Sequence, residues 1–517
     1  MVSSHRLVIK DAAWQLAWRI ISALFGFLTI KIMTPYLGPL RYGDYSTILK
    51  YFAIWTALAD LWLYVLAVKR LGQIKEEQKD PEHTELKKEY GKFVGTRVII
   101  MSAVYAVALI VAYFLPAYTS NPYLIRWLPF GLIFSASFMF AGIQQLPLQI
   151  FWRMDQLSWT LITARLSQIA ILVPVVYFIF KDMTFDGSTV SLIAFCCILF
   201  SVVASGVGQN IEIHYRSKKI LPLKIIFDRK FTKDIIKKNR QYGVSYYLSS
   251  FHTLIVLLFL WWFYPTSRGH DFTGVWALSL SLIEILLIIP SSLGNSLLHK
   301  ISSYSLVNKR KSIGNLLLLI FWIGGLIAIN FWLFADQIIL VVSGKAFLGT
   351  FASLTTRWSN QVLPFLGIVL LRSFIKQVYN YLFVAVEQQN VLLPINLIWV
   401  LVGIPLGIRM IPKYWLWWWA ITQLTIELVF MLGAIWIGKR KKVQPMFSFK
   451  TWWILTLILL GMAGLGYAIT YFWTITILRF FVVAIVLNLF VVYLSLPMIK
   501  KIAKWLTVDE VASPDTY

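Results

Sequence analysis

Apolar runs of about 20 residues recur from one end of the chain to the other, each long enough to cross a lipid bilayer as a helix. Inside a bilayer every backbone amide must find its partner within the protein, so a succession of such runs admits a bundle of spanning helices and little else. The runs fall near 14–34, 46–68, 93–115, 127–148, 158–180, 189–211, 242–264, 273–297, 314–334, 361–385, 391–411, 415–437, 452–473 and 476–499. Fourteen spans define an all-α polytopic membrane protein. The first run follows His5, Arg6 and Lys10 but is long for a signal peptide and has no small-residue cleavage site, so it reads as a retained span.

A net charge of +25 would point to nucleic acid in a soluble protein. Here the basic residues crowd into alternate loops, 69–92, 212–240, 298–313 and 438–450, where they orient helices and meet anionic lipid headgroups. That pattern predicts membrane lipids and no nucleic acid as partners. It also places both termini and the basic loops on the cytoplasmic side of the cytoplasmic membrane. The adjacent Cys196 and Cys197 lie in an apolar run and supply no disulfide framework.

A repeat underlies the spans. Gly43 matches Gly274 and Pro174 matches Pro405, each 231 residues later, and Leu128-Pro129-Phe130 matches Leu363-Pro364-Phe365 at 235. Two lobes of six spans follow, 1–211 and 242–437, joined by a basic linker, 212–241. An even number of spans gives both lobes one orientation, in parallel repeat. Residues 438–517 add helices thirteen and fourteen and a cytoplasmic tail.

Ten basic residues fall inside the spans, Arg19, Lys31, Lys50, Arg97, Arg126, Arg165, Arg372, Lys376, Arg409 and Arg479, against the acids Asp60, Glu284 and Glu427. An intramembrane cation costs roughly 2.5 to 3.5 kcal/mol on insertion scales, so it faces water, a partner or an anion. By depth Arg19 reaches Asp60, either as an ion pair or leaving Arg19 toward a ligand. Arg372 and Lys376 share a face near mid-depth, with Glu284 and Glu427 as partners for one of them. Arg165 either snorkels to headgroups or faces the interior, and Lys31 and Lys50 either reach water at the outer side or share its short hairpin. His252 reads as a hydrogen-bonded interior histidine or a proton carrier. Arg97 and Arg479 read as snorkelling, and Arg126 and Arg409 as end residues. Arg19, Lys50, Arg165, Arg372 and Lys376 are therefore the candidate anion-binding set, with Asp60, His252, Glu284 and Glu427 in structural or coupling roles.

No phosphate loop, no H-E-x-x-H, no dinucleotide fingerprint and no acidic outer loop occurs in the chain. The expectation is a carrier rather than an enzyme, with no catalytic residue, no metal and no cofactor.

Three stretches carry a resemblance: Tyr36-Leu37-Gly38-Pro39 with Tyr42-Gly43-Asp44-Tyr45-Ser46, the Gly274 to Pro290 stretch with Glu284, and Ile338 to Gly344. With the duplicated lobes they resemble the O-antigen flippase type of polysaccharide transporter. That family belongs to the multidrug/oligosaccharidyl-lipid/polysaccharide exporter superfamily, which also holds multidrug extruders and the lipid II flippase. The resemblance implies alternating access and a substrate of undecaprenyl pyrophosphate carrying an oligosaccharide, destined for O-antigen, capsule or exopolysaccharide, with polymerase machinery downstream. It also implies that the last two helices flank a groove for the lipid tail, where Gly461, Gly464 and Gly466 would permit close approach. A cation-coupled drug or metabolite exporter of the same superfamily is the alternative. The excess of intramembrane cations, and the lack of an acid in the first span, favour an anionic substrate.

Overall fold

The first two expected spans form one helical stretch, α1 (Val2–Asp60), broken at Gly38, where φ is 64° and ψ is 175°. That combination is open essentially to glycine alone, and the following Pro39 holds the residue before it out of the helical region. A turn expected between two helices is thus compressed into a single residue. The computed structural model describes residues 2–60, 63–77, 83–115, 119, 121–151, 153–181, 183, 185, 187–237, 243–244, 247–248, 267–290, 306–348, 359–385, 392–472 and 476–507. Among these no strand occurs.

The first lobe continues through α2 (Leu63–Glu77), α3 (Thr84–Tyr113), α4 (Pro122–Ile125), α5 (Leu128–Gln144), α6 (Leu146–Ile150), α7 (Met154–Pro174, closed by a π turn at Val175–Ile179) and α8 (Thr189–Ser217). The loop expected at 69–92 is mostly helix. Leu63, Ala67 and Leu71 of α2 bury against Leu86, Tyr90 and Phe93 of α3, so both helices extend through the expected loop. The second lobe contains α9 (Ser267–Leu286), α10 (Leu306–Leu333), α11 (Ala335–Ser343), α12 (Ser359–Ala385) and α13 (Leu392–Arg440). The expected spans 391–411 and 415–437 share the single helical run α13, which at 1.5 Å per residue amounts to about 74 Å of helix. Span seven, 242–264, lies almost wholly outside the described residues.

Among the described residues, ten helical stretches are long and apolar enough to cross a membrane, α1 counting once for both its limbs. The last two, α14 (Phe449–Phe472) and α15 (Ile477–Thr507), pack on α10 at the edge of the bundle. Polar clasps fix them there: Asn330 and Asn488 exchange amide hydrogen bonds at 3.0 Å, and the Trp322 indole donates to Ser495 at 3.0 Å. Of the three glycines expected to allow close approach, only Gly466 has a neighbour, Leu333; Gly461 and Gly464 meet open space.

Each lobe is closed on the basic side by a strap. In the first, Ile226 N–H donates to the carbonyl of Gly91 on α3 at 3.0 Å, and a Cβ at Gly95 would collide with the Ile226 carbonyl. In the second, Met446 N–H donates to the carbonyl of Arg310 on α10 at 2.9 Å, and a Cβ at Gly314 would collide with the Met446 carbonyl. Two residues after each crossing a capping side chain starts the next helix. Asp228 accepts from Phe231 N–H at 2.9 Å and Ser448 from Thr451 N–H at 3.3 Å.

Candidate functional site

The two lobes meet where the second limb of α1 lies along α9. Gly274, the repeat counterpart of Gly43, touches it: an added Cβ would sit within 3.1 Å of Gly43 N and overlap the Pro39 carbonyl. From this backbone contact a stripe of polar pairs descends at helical spacing. Tyr42 Oη donates to Ser281 Oγ at 3.4 Å, with its ring stacked on Tyr45 and edge-on to Phe347. Two turns further along α1, Lys50 Nζ donates to both carboxylate oxygens of Glu284 on α9. Neither of the expected partners of Glu284, Arg372 and Lys376, holds it, and Lys50 turns inward instead of reaching for water. The pair is not sealed, because the Glu284 side chain keeps 35% of its surface exposed and Lys50 keeps 16%.

Arg165 reaches the same seam from α7. Its Nη2 would lie 3.9 Å from a Cβ at Gly26 on α1, and Ile285 Cδ1, beside Glu284, would lie 3.3 Å from that same point. The guanidinium thus points into the junction of α1, α7 and α9 rather than toward headgroups. Its Nη1 donates to Gln168 Oε1 at 3.2 Å. Among the described residues no carboxylate pairs with Arg165.

Asp60 belongs to a different cluster. Arg97 Nη1 donates to its Oδ1 at 2.6 Å, and Arg97 is only 2% exposed, so the residue expected to snorkel is instead the partner expected to be Arg19. Depth along a helix places Arg19 and Arg97 alike; the facing of α3 toward the end of α1 selects Arg97. The Arg19 side chain lies outside the described residues, as does all of His252.

Arg372 and Lys376 stand in the second lobe, facing α13. Arg372 Nη1 donates to the Leu424 carbonyl at 2.9 Å, and the Lys376 ammonium, 8% exposed, sits 4.6 Å from the centre of the Phe430 ring. Leu424 and Phe430 bracket Glu427, whose side chain is outside the described residues. Lys31, Arg126, Arg409 and Arg479 are exposed. The structure therefore gathers Lys50, Glu284 and Arg165 at one seam and sets Asp60, Arg372 and Lys376 apart from it.

The residues of the Tyr42-Gly43-Asp44-Tyr45-Ser46 motif are architectural. Asp44 is fully buried, accepting from Arg41 at 2.8 Å and from the Asn121 amide at 2.9 Å, while Arg41 lies over the Tyr123 ring at 3.8 Å. Gly206 and Gly208 of α8 let that helix approach Ser137 and Ser167 closely.

The fold, spanning helices in two lobes that meet at a charged seam, is shared with solved transporters of the MOP superfamily. The solved structures it resembles include the lipid II flippase MurJ in an inward closed conformation, with 15% identity over 94% of this chain and 99% of that one and a TM-score of 0.62. An inward-facing multidrug resistance MATE family transporter gives 14% identity over 84% and 98%, with a TM-score of 0.60. A MOP superfamily transporter from Pyrococcus furiosus, described by the reverse polarity of its binding pocket, gives 14% over 85% and 96%, with a TM-score of 0.53. No curated protein matches the sequence. The chain belongs to the polysaccharide biosynthesis protein family, whose sequence model matches residues 8–297.

Proposed function

We propose that the chain is a flippase, not an enzyme, that carries an oligosaccharide linked to undecaprenyl pyrophosphate from the cytoplasmic to the outer leaflet of the cytoplasmic membrane. Membership of the polysaccharide biosynthesis family supports this reading. So does a fold like that of a lipid II flippase. The observation that carries it is the charge left over at the seam. Asp60 and Glu284, the acids of the span interiors whose side chains are described, are neutralised by Arg97 and Lys50, whereas Arg165 has no carboxylate among the described residues.

A cation held at that depth is unfavourable until an anion joins it. A pyrophosphate entering the seam takes bidentate hydrogen bonds from Arg165 and competes with Glu284 for Lys50. Replacing Glu284 as the counter-charge of Lys50 loosens α1 from α9, which links loading of the substrate to separation of the lobes. Helices α14 and α15 flank the lipid tail, and the product passes to the polymerase machinery that assembles O-antigen, capsule or exopolysaccharide.

The test is flipping of a fluorescent lipid-linked oligosaccharide in proteoliposomes. Each charge-assisted contact contributes about 1.5 to 3 kcal/mol, so Arg165→Gln should slow flipping about ten- to a hundredfold at unchanged protein level, with Arg165→Lys partly restoring it. Wild-type flipping by Arg165→Gln removes the anion site. Proton- or sodium-driven efflux of a cationic compound, lost in Glu284→Gln and kept in Arg165→Gln, would establish the cation-coupled exporter instead.

A further inference from the structure

We infer that the strap of the first lobe forms, with α3, a docking site for an anionic phospholipid of the leaflet that faces the basic loops. This site is separate from the seam between the lobes. A groove of about 880 Å³ lies between α3 and the helix 229–237 that follows the strap, lined by Ile99, Phe227, Arg229, Thr232, Lys233, Ile236 and Lys237. Its cations and its apolar residues are segregated in the way such a lipid requires.

Arg229, Lys233 and Lys237 recur every four residues and so share one helical face. All three are exposed, and among the described residues none takes part in an ion pair. Among the described residues no acid lines the groove: Asp228 is turned back to cap the helix and pair with Lys92, and Asp234 falls on another face. The apolar wall continues into the membrane. Ile99, one turn beyond the strap crossing at Gly95, begins the exposed stripe of α3 that runs on through Val107, Ile110 and Phe114, and Phe227 is 64% exposed beside it. A phosphate held by the three cations therefore has its acyl chains directed along a surface that already faces lipid.

The second lobe shows that the cations are not needed to build a strap. At the positions 220 residues later stand Phe449, Trp453 and Leu457, all exposed on α14. The same outward face is apolar where the helix descends at once into the bilayer and cationic where it lies at the boundary.

The measurement is the first lipid-binding step of the full chain by native mass spectrometry, titrating phosphatidylglycerol against phosphatidylcholine. Each cation near a headgroup contributes about fivefold (about 1 kcal/mol), so the Arg229→Gln, Lys233→Gln, Lys237→Gln variant should bind the first phosphatidylglycerol on the order of 100-fold more weakly. Its phosphatidylcholine binding should not change. A control with equal charge removed on the same side, Lys439→Gln, Lys441→Gln, Lys450→Gln, should bind phosphatidylglycerol like the wild type. Phe227→Ala, which keeps every cation, should weaken long-chain phosphatidylglycerol and spare a short-chain form. Equal losses in both triple variants, no loss in the first, or displacement of the lipid by millimolar inorganic phosphate would each overturn the proposal.

Discussion

The two straps share a backbone and differ in what they carry. Ile226 and Met446 make the same bond to the helix they cross, Gly95 and Gly314 make the same room, and Asp228 and Ser448 cap the next helix in the same way. Beyond the cap the helices part company: the first presents Arg229, Lys233 and Lys237 outward, the second Phe449, Trp453 and Leu457. A strap is thus a structural module for closing a lobe on the basic side, and the residues after it decide whether the next helix lies along the boundary or enters the bilayer.

The sharpest way to break this comparison is to exchange the two outward faces. Leu457→Lys puts a charge about 12 Å along α14 from Phe449 and should cost about 2.5 to 3.5 kcal/mol of insertion, read as a loss of membrane-integrated α14 in a glycosylation-mapping assay. Lys237→Leu should leave the fold unchanged. The crossings come next. Gly95→Ala and Gly314→Ala each drive a methyl into a carbonyl, and each should destabilise its lobe by about 1 to 3 kcal/mol, seen as a lowered melting temperature in detergent. Unequal losses would show that the two crossings are not equivalent.

The smallest effect concerns the caps. Ser448→Ala should cost about 1 kcal/mol at any pH, while the first cap should respond to acid. The Phe231 amide, donating to its carboxylate, holds Asp228 below the usual aspartate range, with Lys92 adding to the effect. A carboxyl depressed by folding contributes fully above its unfolded value of about 3.9 and loses that contribution as pH falls through the lower folded value. Hydrogen-exchange protection of the Ile226 amide should therefore fall between about pH 5 and pH 2 while that of Met446 holds. Equal acid sensitivity would mean that Asp228 is not what secures the first strap.

The class of fold was legible because backbone hydrogen bonding in lipid leaves so few solutions, and matching Gly43 to Gly274 picked out two residues whose backbones meet. Partners were not legible. Depth can be counted along a helix but its facing cannot, which is why Arg19 stood as the partner open to Asp60 when α3 turns Arg97 toward it, and why Lys50, read as reaching water or an anion, was not matched to the Glu284 that stands opposite. The straps were hidden for a different reason. Their spacing of 220 departs from the 231 of the spans, and their matching residues, Ile226-Phe227-Asp228 and Met446-Phe447-Ser448, agree in role more than in identity. The signal that could have found them is a capping residue directly after an apolar pair, downstream of Pro222 and again of Pro445.

The meeting of Gly274 with the elbow of α1 has a mechanical consequence. Helices normally mesh through side chains that lodge between one another and so hold a crossing angle. Here main chain rests on main chain, with no Cβ at Gly274 to act as a tooth. Such a contact sets how near the halves can come but not the angle at which they cross; it works as a smooth bearing. Motion about a bearing grows with distance from it. Lys50 and Glu284, about 10 Å further along α1 than Gly43, hold the first charged link that a turn of one lobe on the other would stretch.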